Sequence, residues 1–187
     1  MKKLFLLFFI LVLVGCSSKA SPTPQGNRDS IPGQPAFPSL VQYWVVDNGC
    51  NFSQEAKENA FEVFDALNRD HIAQVAVVCQ TGIKGGPADA STWISHWFNY
   101  VGLGSLEDKR AVAVLIRPDV KPEDYRITIN PNDALYWFTS YDELPIKQEA
   151  ADFANYGDFD GCLESLVRNL DGFLRAKWAT YGPTSNP

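Results

Sequence analysis

Histidine is scarce in this sequence of 187 residues, which has only His71 and His96. The two lie on different predicted elements and have no companion at a metal-ligand spacing. The sequence therefore favours neither a zinc enzyme nor a Ser-His-Asp triad. It also lacks a Gly-x-Ser-x-Gly motif and a glycine-rich phosphate-binding motif, so the common hydrolase and nucleotide-binding signatures have no support.

Positive charge is also in short supply. The chain has 16 lysines and arginines against 22 aspartates and glutamates, which gives a formal net charge of -6. Loss of Lys2 and Lys3 with a leader segment would lower the net charge from -6 to -8. Because binding to nucleic acid requires a basic surface, we expect no nucleic-acid partner.

No apolar run is long enough to span a membrane. The longest begins at Leu4, behind two lysines, and its length of about eleven residues is typical of a secretory signal peptide. It ends in Leu13-Val14-Gly15-Cys16, which resembles the lipobox of bacterial lipoproteins. The resemblance implies cleavage after residue 15 and acyl chains on Cys16. The alternative is an ordinary secretory signal in which Cys16 is incidental.

An acylated Cys16 would place the protein in the bacterial cell envelope, with the membrane as a partner through the lipid anchor. Each buried methylene contributes about 0.8 kcal/mol, so two or three acyl chains would hold the protein lastingly. We expect the domain to face the periplasm or the outside. In a cell with two membranes, Ser17 after the lipid cysteine resembles the sorting pattern for the outer membrane.

Three cysteines remain beyond Cys16, an odd number in a compartment that permits disulfides. A bond between Cys50 and Cys79 would contribute about 3 to 4 kcal/mol by the chain-entropy model, leaving Cys162 as a free thiol. The alternative is three buried, reduced cysteines that pack as small apolar residues. No Cys-x-x-Cys motif is present, so a thioredoxin-like role has little support.

Composition divides the chain into four parts. Residues 1–15 are the predicted signal peptide, and residues 16–38 are a predicted proline-rich tether that begins at the lipid cysteine. At the polyproline rise, that tether would extend about 60 Å. A single domain of residues 39–180 follows, and residues 181–187 form a predicted flexible tail.

The domain pattern alternates strands with helices. Residues 75–78 and 111–116 are continuous apolar runs, typical of strands covered on both faces. Ser53 is a predicted N-cap for a helix to about Arg69, a second helix begins near Asp89, and Asp160 is a predicted N-cap of a long final helix. A short loop makes residues 125–129 antiparallel to residues 111–116. We expect an α/β domain with a mixed, mostly parallel sheet of about four strands and helices on both faces.

Three segments carry a family resemblance: residues 46–49 with Phe52 and Ser53, residues 97–104 with the strand at 112–116, and residues 153–161. Together they resemble the TPM domain family of thylakoid-lumen phosphatase-like and photosystem repair proteins. Residues 46–49 with Phe52 and Ser53 are similar to the opening before the family's first helix. Residues 97–104, followed by the strand at 112–116, are similar to its tryptophan-glycine segment and core strand. Residues 153–161 are similar to its Gly-Asp entry to the last helix. The resemblance covers about residues 45–170 and implies an α/β fold and metal-dependent acid phosphatase activity.

The chain departs from that family at two positions of the implied site. Residues 109–111 stand where the family has an Asp-Asn-Gly segment. Residues 130–134 stand where the family has a glycine-rich segment that ends in a glutamate. Asp47 survives, and Asp108 and Asp133 lie close to the lost positions, so these three are the candidate catalytic carboxylates. Asp47 and Asp133 are the candidate ligands for Mg²⁺, Ca²⁺ or Mn²⁺, which prefer oxygen ligands. The alternative is that each forms a turn or caps a helix.

A cluster of aromatic residues near a predicted loop suggests a different activity. Tyr136, Trp137, Phe138 and Tyr141 either form a surface for a partner or pack against the final helix. With part of the acidic site missing, we expect a binding or accessory module for an unidentified envelope protein. The alternative function is a metal-dependent phosphatase of the TPM family.

The lipid anchor predicts a direct labelling result. Cells that express the protein and are fed labelled palmitate should incorporate label into it, and Cys16→Ala should abolish the incorporation because the acceptor sulfur is gone. Retention of label by the variant, measured after gel separation, would contradict lipidation at Cys16.

Overall fold

The computed structural model describes residues 29–40, 44–104, 109–122 and 126–182. The four strands are β1 (Val45–Asn48), β2 (Gln74–Gln80), β3 (Ala111–Ile116) and β4 (Ile127–Pro131). The four helices are α1 (Gln54–Arg69), α2 (Pro87–Val101), α3 (Ser140–Asn155) and α4 (Phe159–Tyr181). A single 3-10 turn, Asp133–Leu135, lies between β4 and α3.

The strands form one sheet in the order β1-β2-β3-β4. β1, β2 and β3 are parallel, and β4 runs antiparallel to β3. Every residue of β2 and β3 is buried, because helices cover both faces of the sheet. The predicted fold class, a mixed and mostly parallel sheet between helices, is confirmed.

The two faces of the sheet carry separate cores. On one face, Val77 and Val114 pack in a cluster with apolar residues of α1, α3 and α4. On the other face, Val78 and Leu115 pack with residues of α2. The strands advance in one direction while α1 and α2 lie on opposite faces, so the two crossovers have opposite hands. One of them is left-handed, against a preference for the right hand in about 98% of such units.

The domain begins earlier than the sequence predicted. Residues 29–40, here called the N-terminal strap, were expected to belong mostly to the tether, but they pack against α2. Phe37 is buried in the α2 core, and the indole nitrogens of Trp93 and Trp97 donate to the carbonyl oxygens of Pro35 and Pro38. The predicted tether end at residue 38 is therefore wrong. Cys16 and the predicted signal peptide lie outside the described residues.

Helix starts follow local capping. Ser53 caps α1 as predicted, with its hydroxyl accepting from the Ala56 amide at 3.1 Å. The N-cap of α4 is Asp158, which accepts from the Gly161 amide at 2.9 Å, so the assignment of that cap to Asp160 is wrong. Helix α3 starts at Ser140 and holds Pro145 within it. Its Thr139–Asp142 capping box supplies the start signal.

The structure joins Cys50 and Cys79 in a disulfide. Cys162 is a free, buried cysteine on α4, where burial, aided by the negative charge of Asp158, raises the pKa of the thiol to about 12. The thiol therefore stays protonated and behaves as a small apolar side chain. No helix among the described residues has the length and apolar character needed to cross a membrane.

Candidate functional site

Asp47 lies at the edge where the parallel strands end. It pairs with Cys79 in the register of β1 and β2, and Cys79 pairs in turn with Ile116, the last residue of β3. Ligands of open α/β sheets usually bind beyond the carboxyl ends of the strands. Asp47, one of the candidate site residues, thus lies at the edge where ligands of such sheets usually bind.

The carboxylate of Asp47 binds its own loop. Oδ1 accepts hydrogen bonds from the amides of Gly49 at 3.3 Å, Cys50 at 2.9 Å and Asn51 at 3.1 Å. Oδ2 accepts from the Phe52 amide at 2.7 Å. The loop includes Asn51 at a φ of 58°, an unusual conformation that these bonds help to hold. Both oxygens of the carboxylate are therefore occupied in fixing the turn between β1 and α1.

The two disulfide cysteines lie close to the Asp47 carboxylate. Ligand atoms of Asp47, Cys50 and Cys79 all lie within 4.8 Å of one another. The thiolate, not the disulfide, is the form of cysteine that binds metals, so the oxidised pair provides no strong ligand. Over the described ranges, no other group of three or more His, Cys, Asp or Glu side chains comes this close together.

Asp133 does not join Asp47. Strand β4 is antiparallel, and its last residue, Pro131, pairs with Val112 near the start of β3. Asp133 follows at that opposite edge, four strand residues or about 13 Å along the sheet from the level of Ile116. The structure therefore places Asp47 and Asp133 at opposite edges of the sheet, and the metal-ligand role of each stays a prediction. Asp108, the third candidate, lies outside the described residues.

Other carboxylates at the Asp47 edge also bind backbone amides. Asp160 Oδ1 accepts from the Ser53 amide at 2.9 Å and so ties the first turn of α4 to the start of α1. Asp119 Oδ2 accepts from the Gly82 amide at 2.7 Å. Neither role could be predicted from the sequence, because the partners are 107 and 37 residues away. Asp119 and Asp160 therefore have structural roles, as in the alternative in which Asp47 forms a turn or caps a helix.

The structure also contains a fully buried arginine, whose burial the sequence did not predict. Arg117 directly follows β3 and is 0% exposed. Its Nη1 donates to the Gly85 carbonyl oxygen at 3.3 Å, linking the loop after β3 to the loop before α2. The available signal was its place at the end of a continuous apolar strand, where burial is expected.

The predicted aromatic cluster splits into buried and exposed members. Trp137 and Phe138 are buried, with their ring centroids 6.0 and 4.6 Å from that of Phe173. Tyr136 and Tyr141 are 74% and 88% exposed. Burial against the final helix thus accounts for two of the four residues, and the other two remain available to a partner.

Exposed apolar side chains concentrate on one side of the domain. Among the described residues, the large exposed ones come from α1, α3, α4 and their connections, and none comes from α2 or the strap. They are Phe61, Tyr136, Tyr141, Leu144, Phe153, Tyr156 and Tyr181. We call Tyr136, Tyr141, Leu144 and Tyr181 the aromatic surface.

Two contacts join the elements that carry the aromatic surface. The rings of Tyr136 and Tyr181 lie 6.4 Å apart. The ammonium group of Lys177 lies 3.3 Å from Asp142 and 5.9 Å from the Tyr181 ring, which places the start of α3 beside the end of α4. The aromatic surface adjoins the edge of Asp133. At the other end of α3, Asp152, Phe153, Tyr156 and Asp158 line a shallow pocket of about 200 Å³.

The structural role of Asp47 predicts a loss of stability on substitution. Asp47→Ala should lower the free energy of unfolding by about 2 to 3 kcal/mol, because four amides lose a charged acceptor. Asp133→Ala, at an exposed position, should change it by less than about 0.5 kcal/mol. Urea denaturation followed by tryptophan fluorescence measures both. Wild-type stability for Asp47→Ala, together with loss of a Mg²⁺-dependent phosphate ester hydrolysis, would contradict this role.

Comparisons with known proteins find a similar fold. No family model matches the chain, and no curated protein matches it in sequence. The structure is similar to the solution NMR structure of the N-terminal domain of the cg2496 protein from Corynebacterium glutamicum, with a TM-score of 0.51. The similarity covers 80% of this chain and 88% of that chain, at 14% sequence identity. The chain therefore shares the fold of that domain.

Proposed function

We propose that this protein is a lipid-anchored, extracytoplasmic binding module that contacts an envelope protein through its aromatic surface. Cys16 supplies the anchor, and the folded domain supplies the contact. The observation that carries the proposal is the exposure of Tyr136 and Tyr141. Exposed aromatic rings add little to the stability of an isolated monomer, but they can bind a partner.

The chemistry of the aromatic surface suits a protein partner. Tyrosine combines a rigid apolar ring with a hydroxyl group, which is why it is enriched among residues that dominate binding energy at interfaces. Leu144 adds an aliphatic side chain one helical turn from Tyr141, on the same side of α3. Lys177 and Asp142 lie at its border. The result is an apolar centre with a charged rim, the usual anatomy of an interface.

We further propose that the chain is a TPM-like domain whose acidic site has a structural role. The segments that resemble the TPM family lie at the end of β1, from α2 through β3, and at the turn from α3 to α4. The alternative of a phosphatase dependent on Mg²⁺, Ca²⁺ or Mn²⁺ would need ligands near Asp47. Its carboxylate already accepts four amide hydrogen bonds, so no observation favours that alternative.

The aromatic surface predicts which substitutions abolish partner capture. The double variant Tyr136→Ser, Tyr141→Ser should recover far less of any specific partner from solubilised membranes than wild type does, because both exposed rings are removed. Affinity capture followed by mass spectrometry measures the recovery.

Tyr156→Ser is the matched control, since Tyr156 is 91% exposed but lies at the opposite end of α3. This variant should capture the partner as wild type does. Equal recovery by the double variant and wild type, or loss with Tyr156→Ser alone, would contradict the assignment of the aromatic surface.

A further inference from the structure

The N-terminal strap is part of the fold on the α2 side of the sheet. The Phe37 ring is 6% exposed, with its centroid 5.3 Å from that of Trp93 and 5.7 Å from that of Tyr100. Trp97 donates its indole N–H to the carbonyl oxygen of Pro38 at 2.8 Å. These contacts fix the strap along α2.

The point where the strap begins is fixed as well. The Phe37 amide donates to the Asp29 carbonyl oxygen at 2.8 Å, so Asp29 lies beside Phe37. Gln34 and Lys84 exchange two hydrogen bonds, of 2.9 and 2.8 Å, which hold the intervening turn on the loop before α2. The chain therefore enters the domain on the α2 side.

The distance from this entry point to the predicted anchor is limited by chain length. Only residues 17–28 separate Cys16 from Asp29. A fully extended chain of that length spans about 40 Å, and a flexible one has an average end-to-end distance of roughly 20 Å. With the proposed anchor at Cys16, docking of the strap thus removes about a third of the expected 60 Å reach and favours an orientation with the α2 side nearer the anchor.

Charge distribution favours the same orientation. Helix α2 carries one carboxylate, Asp89, and no lysine or arginine, and the strap carries only Asp29. Helices α1, α3 and α4 on the other face carry eleven carboxylates and six basic residues. An anionic membrane repels carboxylates within a Debye length of about 8 Å. Placing α2 next to the bilayer keeps most of them outside that range.

We propose that α2 and the strap form the membrane-proximal side of the anchored protein, with the lipid surface as the partner of that side. The inference rests on the proposed lipid anchor. In this orientation the aromatic surface, on the opposite helical layer, stays open to the aqueous compartment.

Site-directed spin labels on the lipidated, mature protein in phosphatidylglycerol-containing vesicles test the orientation. Thr92→Cys places a label on the outer side of α2, and Glu62→Cys places one on the outer side of α1; both positions are exposed. The native Cys50 and Cys79 are in a disulfide and Cys162 is buried, so the introduced thiol reacts selectively. Relaxation by a nickel chelate carried on a lipid headgroup reports proximity to the bilayer.

Relaxation should be about twofold or more greater at position 92 than at position 62, because the two helix layers flank the sheet and lie roughly 20 Å apart. A long Gly-Ser insertion after residue 20 leaves the strap intact but lengthens the tether. It should reduce the difference in relaxation between positions 92 and 62. Equal relaxation at the two positions, or greater relaxation at 62, overturns the orientation. Absence of relaxation at both overturns the anchor itself. If relaxation stays greater at position 92 than at position 62 but no partner is captured, only the binding role is overturned.

Discussion

The structure depends on covering two central strands on both faces. Strands β2 and β3 have no exposed residue, so each face of the sheet needs a complete apolar layer. Helices α1, α3 and α4 provide it on one side. On the other side α2 stands alone, and Phe37 of the strap joins its core. Burial of apolar surface, the dominant favourable term in folding, therefore holds the strap on the domain although its composition is typical of a linker.

This unequal covering gives the molecule two different sides. The side built from three helices carries the exposed tyrosines and most of the charge, while the side built from α2 and the strap carries little of either. The loop that contains Asp47 lies at the edge between them, held by a carboxylate and a disulfide. Rigidity at that edge and exposed tyrosines at the other are the observations behind our proposal of a binding module.

Local patterns predicted the fold class, the Ser53 cap and the antiparallel last strand, because each depends on neighbours in the chain. That antiparallel pairing itself implies that Asp133 lies away from Asp47. The strap was not predicted, since five prolines indicated a tether and its partners Trp93 and Trp97 lie 58 and 59 residues away. The hydrogen bonds from loop amides to the Asp47 carboxylate could not be predicted, because every residue except proline has a backbone amide and the sequence does not show which amides point at a side chain.

Hydrogen exchange at the tryptophan indoles tests most directly whether the strap belongs to the fold. Trp93 and Trp97 donate their indole N–H groups to strap carbonyl oxygens. In NMR spectra of the mature protein, both indole protons should exchange slowly with D₂O, and the Phe37 ring should show nuclear Overhauser contacts with Trp93. Exchange of both at the rate of free tryptophan, without those contacts, would show that residues 29–40 are part of the tether and would contradict the account.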